Sequence, residues 1–130
     1  MADVHSGIRS DSNFLNLKQI DQNSIRREIF DFLVKGENIV DCFQTVRDQV
    51  IFTDKRIIVV NVQGITGKKV SYYFYPYSKV QTFGIETAGL LDIDSEMVLT
   101  FANGIVLQFD FRSHVDIRGI CANIQRYILE

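Results

Sequence analysis

The residues best suited to chemistry in this chain lie in "QGITGKKVSYYFYPY", Gln63 to Tyr77. Gly64, Gly67, Lys68 and Lys69 form a glycine–lysine knot of the kind that can hold a phosphate through backbone N–H groups and an ammonium. A phosphate loop needs four residues between its glycines and a helix behind them, so that the helix dipole faces the anion. Here only Ile65 and Thr66 intervene, and "KVSYYFY" follows, which is strand material. Base stacking is a second reading of the tyrosine run, but stacking platforms sit in positively charged grooves. The chain carries 16 acidic and 14 basic residues and a formal net charge of −2, which argues against nucleic acid as a partner. The third reading is a hairpin. Gly64 and Gly67 supply turn torsions, and Lys68 and Lys69 keep the strand mouth soluble. Lys55, Arg56, Lys68 and Lys69 remain the candidate anion-binding residues.

Three further constellations are candidate sites. In "DIDSE", Asp92, Asp94 and Glu96 alternate, as oxygen ligands of calcium can. An EF-hand counted from Asp92 needs glycine where Met97 stands and glutamate where Asn103 stands, so alternating acids at a strand entrance are the better reading. His5 and His114 have no Cys, Asp or Glu at ligand spacing, and Cys42 and Cys121 do not form a metal-type pair. Glu86, in "GIETAG", reads as a buried hydrogen-bond partner or a contact between subunits rather than a general base. No nucleophile elbow and no H-E-x-x-H occurs. The expectation is no catalytic residue, no metal and no cofactor.

A chain of 130 residues fits one domain. Its 46% hydrophobic and 23% charged content is ordinary for a globular fold. The apolar runs are shorter than a membrane span, and "MADVHSGIRSDSNF" lacks the apolar core of a signal peptide. Two unpaired cysteines fit a reduced, cytoplasmic protein.

Elements must position these residues. Residues 1–13 read as a flexible tail. Residues 14–36 read as a helical extension. Ile25, Ile29, Phe32 and Leu33 recur at helical spacing, Asn23 or Ser24 caps the start, and Gly36 stands at the stop. Phe14, Leu15, Leu17 and Ile20 predict a shorter helical piece before it. From residue 37 to 130 the pattern becomes seven strands closed by a helix. "NIVDCFQTV", "DQVIFT", "RIIVVNVQ", "KVSYYFYP", "KVQTFGIET", "MVLTFA" and "IVLQFDF" are separated by turn signals, of which Ala102-Asn103-Gly104 is the strongest. Ile117, Ile120, Cys121, Ile124 and Ile128 draw the apolar stripe of the last helix, with Ser113 or Asp116 as its cap.

Seven strands and one closing helix is the order of a pleckstrin-homology (PH) barrel. "FTDKRIIVVNVQGITGKKVSYYFYPYSKV", then "IETAG" and "DIDSEM", resembles the bacterial PH-domain family from about Gly36 to Phe101. The resemblance implies an all-β, PH-like seven-stranded barrel capped by a C-terminal α-helix, a tendency to ring-shaped homo-oligomers, and no established catalysis. PH domains that bind phosphoinositides carry basic residues between their first two strands. Here that connection is "TVRDQ", with Arg47 beside Asp48, so the fold transfers and the inositol-phosphate site does not.

"RIIVVNV" points to assembly. Ile57 and Val59 face one way, and Ile58, Val60 and Val62 the other. A strand apolar on both faces needs a cover outside, either the N-terminal helix or another subunit. Ile57, Ile58, Val59, Val60 and Val62 are therefore the candidate oligomer interface. The expected function is a non-enzymatic, self-associating cytoplasmic module, cyclic and larger than a dimer, that displays its surface to a protein or ligand partner. The alternative is a weak binder of anionic lipid headgroups or phosphate, with membrane contact at most peripheral.

Overall fold

The computed structural model describes residues 11–87, 95–112 and 115–129. The strands run β1 (Asp11–Gln19), β2 (Ile39–Gln44), β3 (Gln49–Thr53), β4 (Arg56–Gln63), β5 (Lys69–Pro76), β6 (Val80–Thr87), β7 (Ser95–Phe101) and β8 (Val106–Phe111). Two helices join them, α1 (Glu28–Phe32) and α2 (Arg118–Leu129). All eight strands belong to one curled sheet in the order β5-β4-β3-β2-β1-β8-β7-β6.

The seven expected strands are β2 to β8. The eighth, β1, occupies the stretch expected to begin the helical extension. It pairs in parallel with β8, Phe14 opposite Phe109, and turns to meet β2 antiparallel, Lys18 opposite Gln44. The difference has a physical cause. The register shifts between Phe14 and Leu17, and Asn16 takes a positive φ of 57° there. This bulge adds a residue, so two inward side chains stand three apart and imitate a helical interval. Residues 11–13 thus belong to a strand backbone rather than to a tail.

Most of the extension that follows is not α-helix. Gln22–Ser24 form a 3-10 turn, capped by Asp21, whose Oδ1 accepts from the Asn23 N–H at 2.8 Å. α1 then has five residues, and the chain leaves it through a turn in which Gly36 adopts φ 83°.

The rest follows the sequence closely. Gly104, at φ 89°, closes the β7–β8 hairpin, its N–H donating to Phe101 O at 3.0 Å. Leu107, Phe109 and Phe111 point inward and are buried. Phe14, Phe43, Phe52, Phe109 and Phe111 form an aromatic cluster, with Phe43 and Phe111 4.9 Å apart. Asp116 Oδ1 accepts the Arg118 N–H at 3.0 Å at the start of α2; Ser113 lies outside the described residues. Ile117, Ile120, Cys121 and Ile124 of the last stripe close the core.

Candidate functional site

The strand "RIIVVNV" has its outer cover within the chain. Ile57 and Val59 line the barrel, while Ile58 and Val60 form a second small core with Ile25, Ile29, Cys42 and Ile51. The cover is therefore the N-terminal segment, the first of the two alternatives. Ile57, Ile58, Val59 and Val60 are buried in a single chain, and Val62 packs half-buried beside them. None of the first four is free to meet a second subunit, which corrects the interface expected from alternation alone.

The "FTDKR" turn fastens that cover. Glu37 is fully buried on its side chain and accepts Arg56 Nε at 2.9 Å and Arg56 Nη2 at 3.1 Å. It also accepts the Thr53 hydroxyl at 2.7 Å and the Val34 N–H at 3.0 Å. Arg56 reaches on to Phe32 O at 2.7 Å and lies 4.8 Å over the Phe74 ring. Beneath, the buried Tyr77 hydroxyl donates to Thr53 O at 2.7 Å. Burial pushes the Glu37 carboxyl up, but the hydrogen bonds from Arg56, Val34 and Thr53 outweigh it and hold it below its usual range. Sequence reasoning missed this network, because periodicity gives no sign of a buried glutamate.

The four candidate cations do not form one site. Lys55 and Arg56 stand at one end of β4 and Lys68 and Lys69 beyond the other, with the length of this eight-residue strand between them. At about 3.3 Å per residue that is more than 20 Å. Arg56 is also committed to Glu37. Lys68 and Lys69 are exposed at the β4–β5 hairpin, with Gly64 at φ 81° and Gly67 at φ 68°. The hairpin reading of this stretch therefore holds. Arg47, from the β2–β3 turn, donates to Gly64 O at 2.5 Å and ties the two turns together. Asp48 is turned away, accepting from the Val62 N–H at 2.9 Å and from Asn61 Nδ2 at 3.2 Å. At the tips of the same turns Val46 and Ile65 are 98% and 105% exposed. Val46 and Arg47 join the lysines only in three dimensions.

The sheet's terminal strands are β5 and β6, and among the described residues no strand lies beyond either. Tyr73 and Tyr75 of β5 face the barrel, Tyr72 faces outward, and Phe32 packs over Tyr72 and Phe74. On the other side Glu86 of β6 stands opposite Glu96 of β7, which stands opposite Asp110 of β8. Glu86 is exposed, not a buried partner. Asp92 and Asp94, like His5 and His114, lie outside the described residues. Among those described, no group of three or more His, Cys, Asp and Glu is placed to hold a metal.

Neither thiol is set up as a nucleophile. Cys42 donates to Ile20 O at 3.1 Å, and burial, with Asp41 and Asp21 nearby, raises its pKa to about 11. Burial also raises that of Cys121. A groove of about 470 Å³ between β6 and α2 has a largely apolar lining that includes Ile85, Ile117, Cys121 and Ala122. Its charged residues, Asp116 and Arg118, pair with each other at 2.8 Å.

Comparison with known proteins agrees with this geometry. The family model described as bacterial PH domain matches residues 9–128. The chain belongs to the bacterial PH domain family. Among its relatives, the Bacillus subtilis (strain 168) protein YjqA is 42% identical over 82 residues, covering 63% of this chain and 66% of YjqA. YozO of the same organism is 25% identical over 88% of this chain and 98% of its own length. A Shewanella loihica PV-4 protein of the DUF1696 family with a pleckstrin-homology domain superposes at a TM-score of 0.71, with 31% identity, over 87% of this chain and 97% of that one. A pleckstrin homology domain from Shewanella amazonensis SB2B gives 0.59, with 36% identity, over 85% and 90%. In this bacterial PH domain the family match takes in β1 and the N-terminal cover as well as the barrel.

Proposed function

We propose that this bacterial PH domain is a non-enzymatic, cytoplasmic interaction module whose copies join head to tail, β5 of one to β6 of the next. The result is a ring larger than a dimer that presents its rims to a protein or ligand partner. The observation that carries the reading is the pair of eight-residue strands at the ends of the sheet, without a neighbouring strand among the described residues. Long open edges are templates for pairing with another chain. Their charges are complementary. Lys68 and Lys69 stand at the start of β5, and Glu86 stands near the end of β6, on the acidic ladder. Antiparallel addition brings these two ends together. The two edges differ, so the contact is heterologous and closes only by rotation into a ring. Light scattering after size exclusion tests it. Lys68→Glu with Lys69→Glu, or Glu86→Lys, should each lower the mass, and the triple variant should regain it. A wild-type monomer at micromolar concentration removes the reading.

A second reading is favoured by the rim. Arg47, Lys68 and Lys69 lie on the same two joined turns as the exposed Val46 and Ile65, a mixture of charge and apolar tips that suits an anionic bilayer surface. No helix among the described residues is long and apolar enough to cross a membrane, so such contact would be peripheral. Sedimentation with phosphatidylserine vesicles at low salt should pellet the wild type and not Lys68→Ala with Lys69→Ala. Wild type that stays in solution rules out this reading.

A further inference from the structure

The N-terminal cover has a different standing from the barrel. It contributes no strand to the sheet, because β1 closes onto β8 and β2 before and after it. Its helix has five residues, too few to hold without docking. Ile25 and Ile29 are its only fully buried apolar side chains, with Ile20 and Leu33 packed partly beside them. Phe30, Phe32 and Val34 stay 47%, 39% and 53% exposed. Arg26 Nε is buried without a hydrogen-bond partner, which opposes docking. The polar ties of the segment gather at its far end, where Glu37 accepts from Arg56 and from the Thr53 hydroxyl at 2.7 Å and Arg56 Nη2 donates to Phe32 O at 2.7 Å. Before that lie only Gln49, which accepts the Arg26 N–H at 3.0 Å and donates to Ser24 O at 2.9 Å, and a long contact from the Tyr72 hydroxyl to Glu28 at 3.5 Å.

We propose that residues 21–37 are a strap that opens as a unit while the barrel stays folded, with Glu37–Arg56 as its latch. Opening uncovers the apolar outer face made by Cys42, Ile51, Ile58 and Val60. Lifting the strap breaks no strand pairing, and the barrel core of β-strands and α2 is a separate cluster. A region with few buried apolar contacts opens below the free energy of global unfolding.

Cys42 lies under the strap and reports its opening, while Ile124 belongs to the barrel core. Alkylation of Cys42 is followed in a Cys121→Ser background, with global unfolding measured in parallel by circular dichroism in urea. Ile124→Ala weakens the barrel in both the closed and open states. It should raise the global unfolding constant and leave the Cys42 rate within about twofold. Glu37→Gln should raise the Cys42 rate about ten- to a hundredfold, the loss of a charged hydrogen-bonded partner. If Ile124→Ala accelerates Cys42 as much as it raises global unfolding, the strap does not open on its own. An unchanged Cys42 rate in Glu37→Gln removes the latch. Should Ile124→Ala fail to fold, Ile124→Val gives the same comparison at smaller amplitude.

Discussion

Glu37 ties residue chemistry to stability. Its carboxyl is held below the usual range in the folded chain, so folding favours the ionised form. That contribution is present above the unfolded value of about 4.3 and is lost as pH falls through the folded value. Urea midpoints should therefore drop from pH 6 to pH 3, and Glu37→Gln should flatten that acid limb. Cys42 works in the opposite sense. Its pKa of about 11 favours the thiol in the folded state, so this stabilisation is full below the unfolded value and is lost as pH rises toward about 11. Cys42→Ala should remove that part of the alkaline loss in the same titration. Arg56→Ala leaves Glu37 buried without its cation and should cost about 3 kcal/mol in equilibrium unfolding. These roles were hidden in the sequence. "FTDKR" was legible as a turn motif and Arg56 as a cation, but which acid it meets depends on how residues 33–37 return over the sheet.

The elements separate what periodicity can tell from what it cannot. α2 shows a clean stripe, and Ile124 is fully buried within it. Ile124→Ala should cost about 2–5 kcal/mol by denaturant titration, the range for a buried aliphatic truncation. A negligible shift would make the helix peripheral. The hairpins were equally legible, because Asn103-Gly104 and Gly64 to Gly67 sit where positive φ is required. β1 was not, since its bulge places Phe14 and Leu17 at a helical interval. For a related reason the spacing predicts a longer helix than the five residues of α1. Ile25 and Ile29 are four apart and buried together, yet most of the segment between Asp21 and Glu37 is held by tertiary docking rather than by helical bonds. Alternation in β4 correctly separated Ile57 and Val59 from Ile58 and Val60. It could not say that the cover belongs to the same chain. Ile57→Asp with Val59→Asp should accordingly abolish folding. Ile58→Asp with Val60→Asp should dislodge the cover and leave barrel circular dichroism in place, because the charge then has solvent within reach.

At the scale of the whole molecule, the proposed assembly would rest on two terms that salt and sequence can separate. The attraction proposed between Lys68 and Lys69 of one copy and Glu86 of the next is between exposed groups and would be screened, since the Debye length falls to about 3 Å at 1 M salt. The proposed strand addition between β5 of one copy and β6 of the next would rely on backbone hydrogen bonds and apolar side chains, which salt does not screen. High salt should therefore slow association of dilute chains while leaving a formed assembly largely intact. The strand term has its own probe in Ile85, which is 46% exposed on β6 and lies beside the α2 groove. A lysine on an edge strand blocks pairing without disturbing a core. Ile85→Lys should give a monomer by light scattering with the circular dichroism and urea midpoint of the wild type. If it keeps the wild-type mass at both salt concentrations, β6 is not the contact. If it loses both mass and fold, Ile85 supports the barrel and Thr82→Lys, also exposed on β6, repeats the test on the strand's other face.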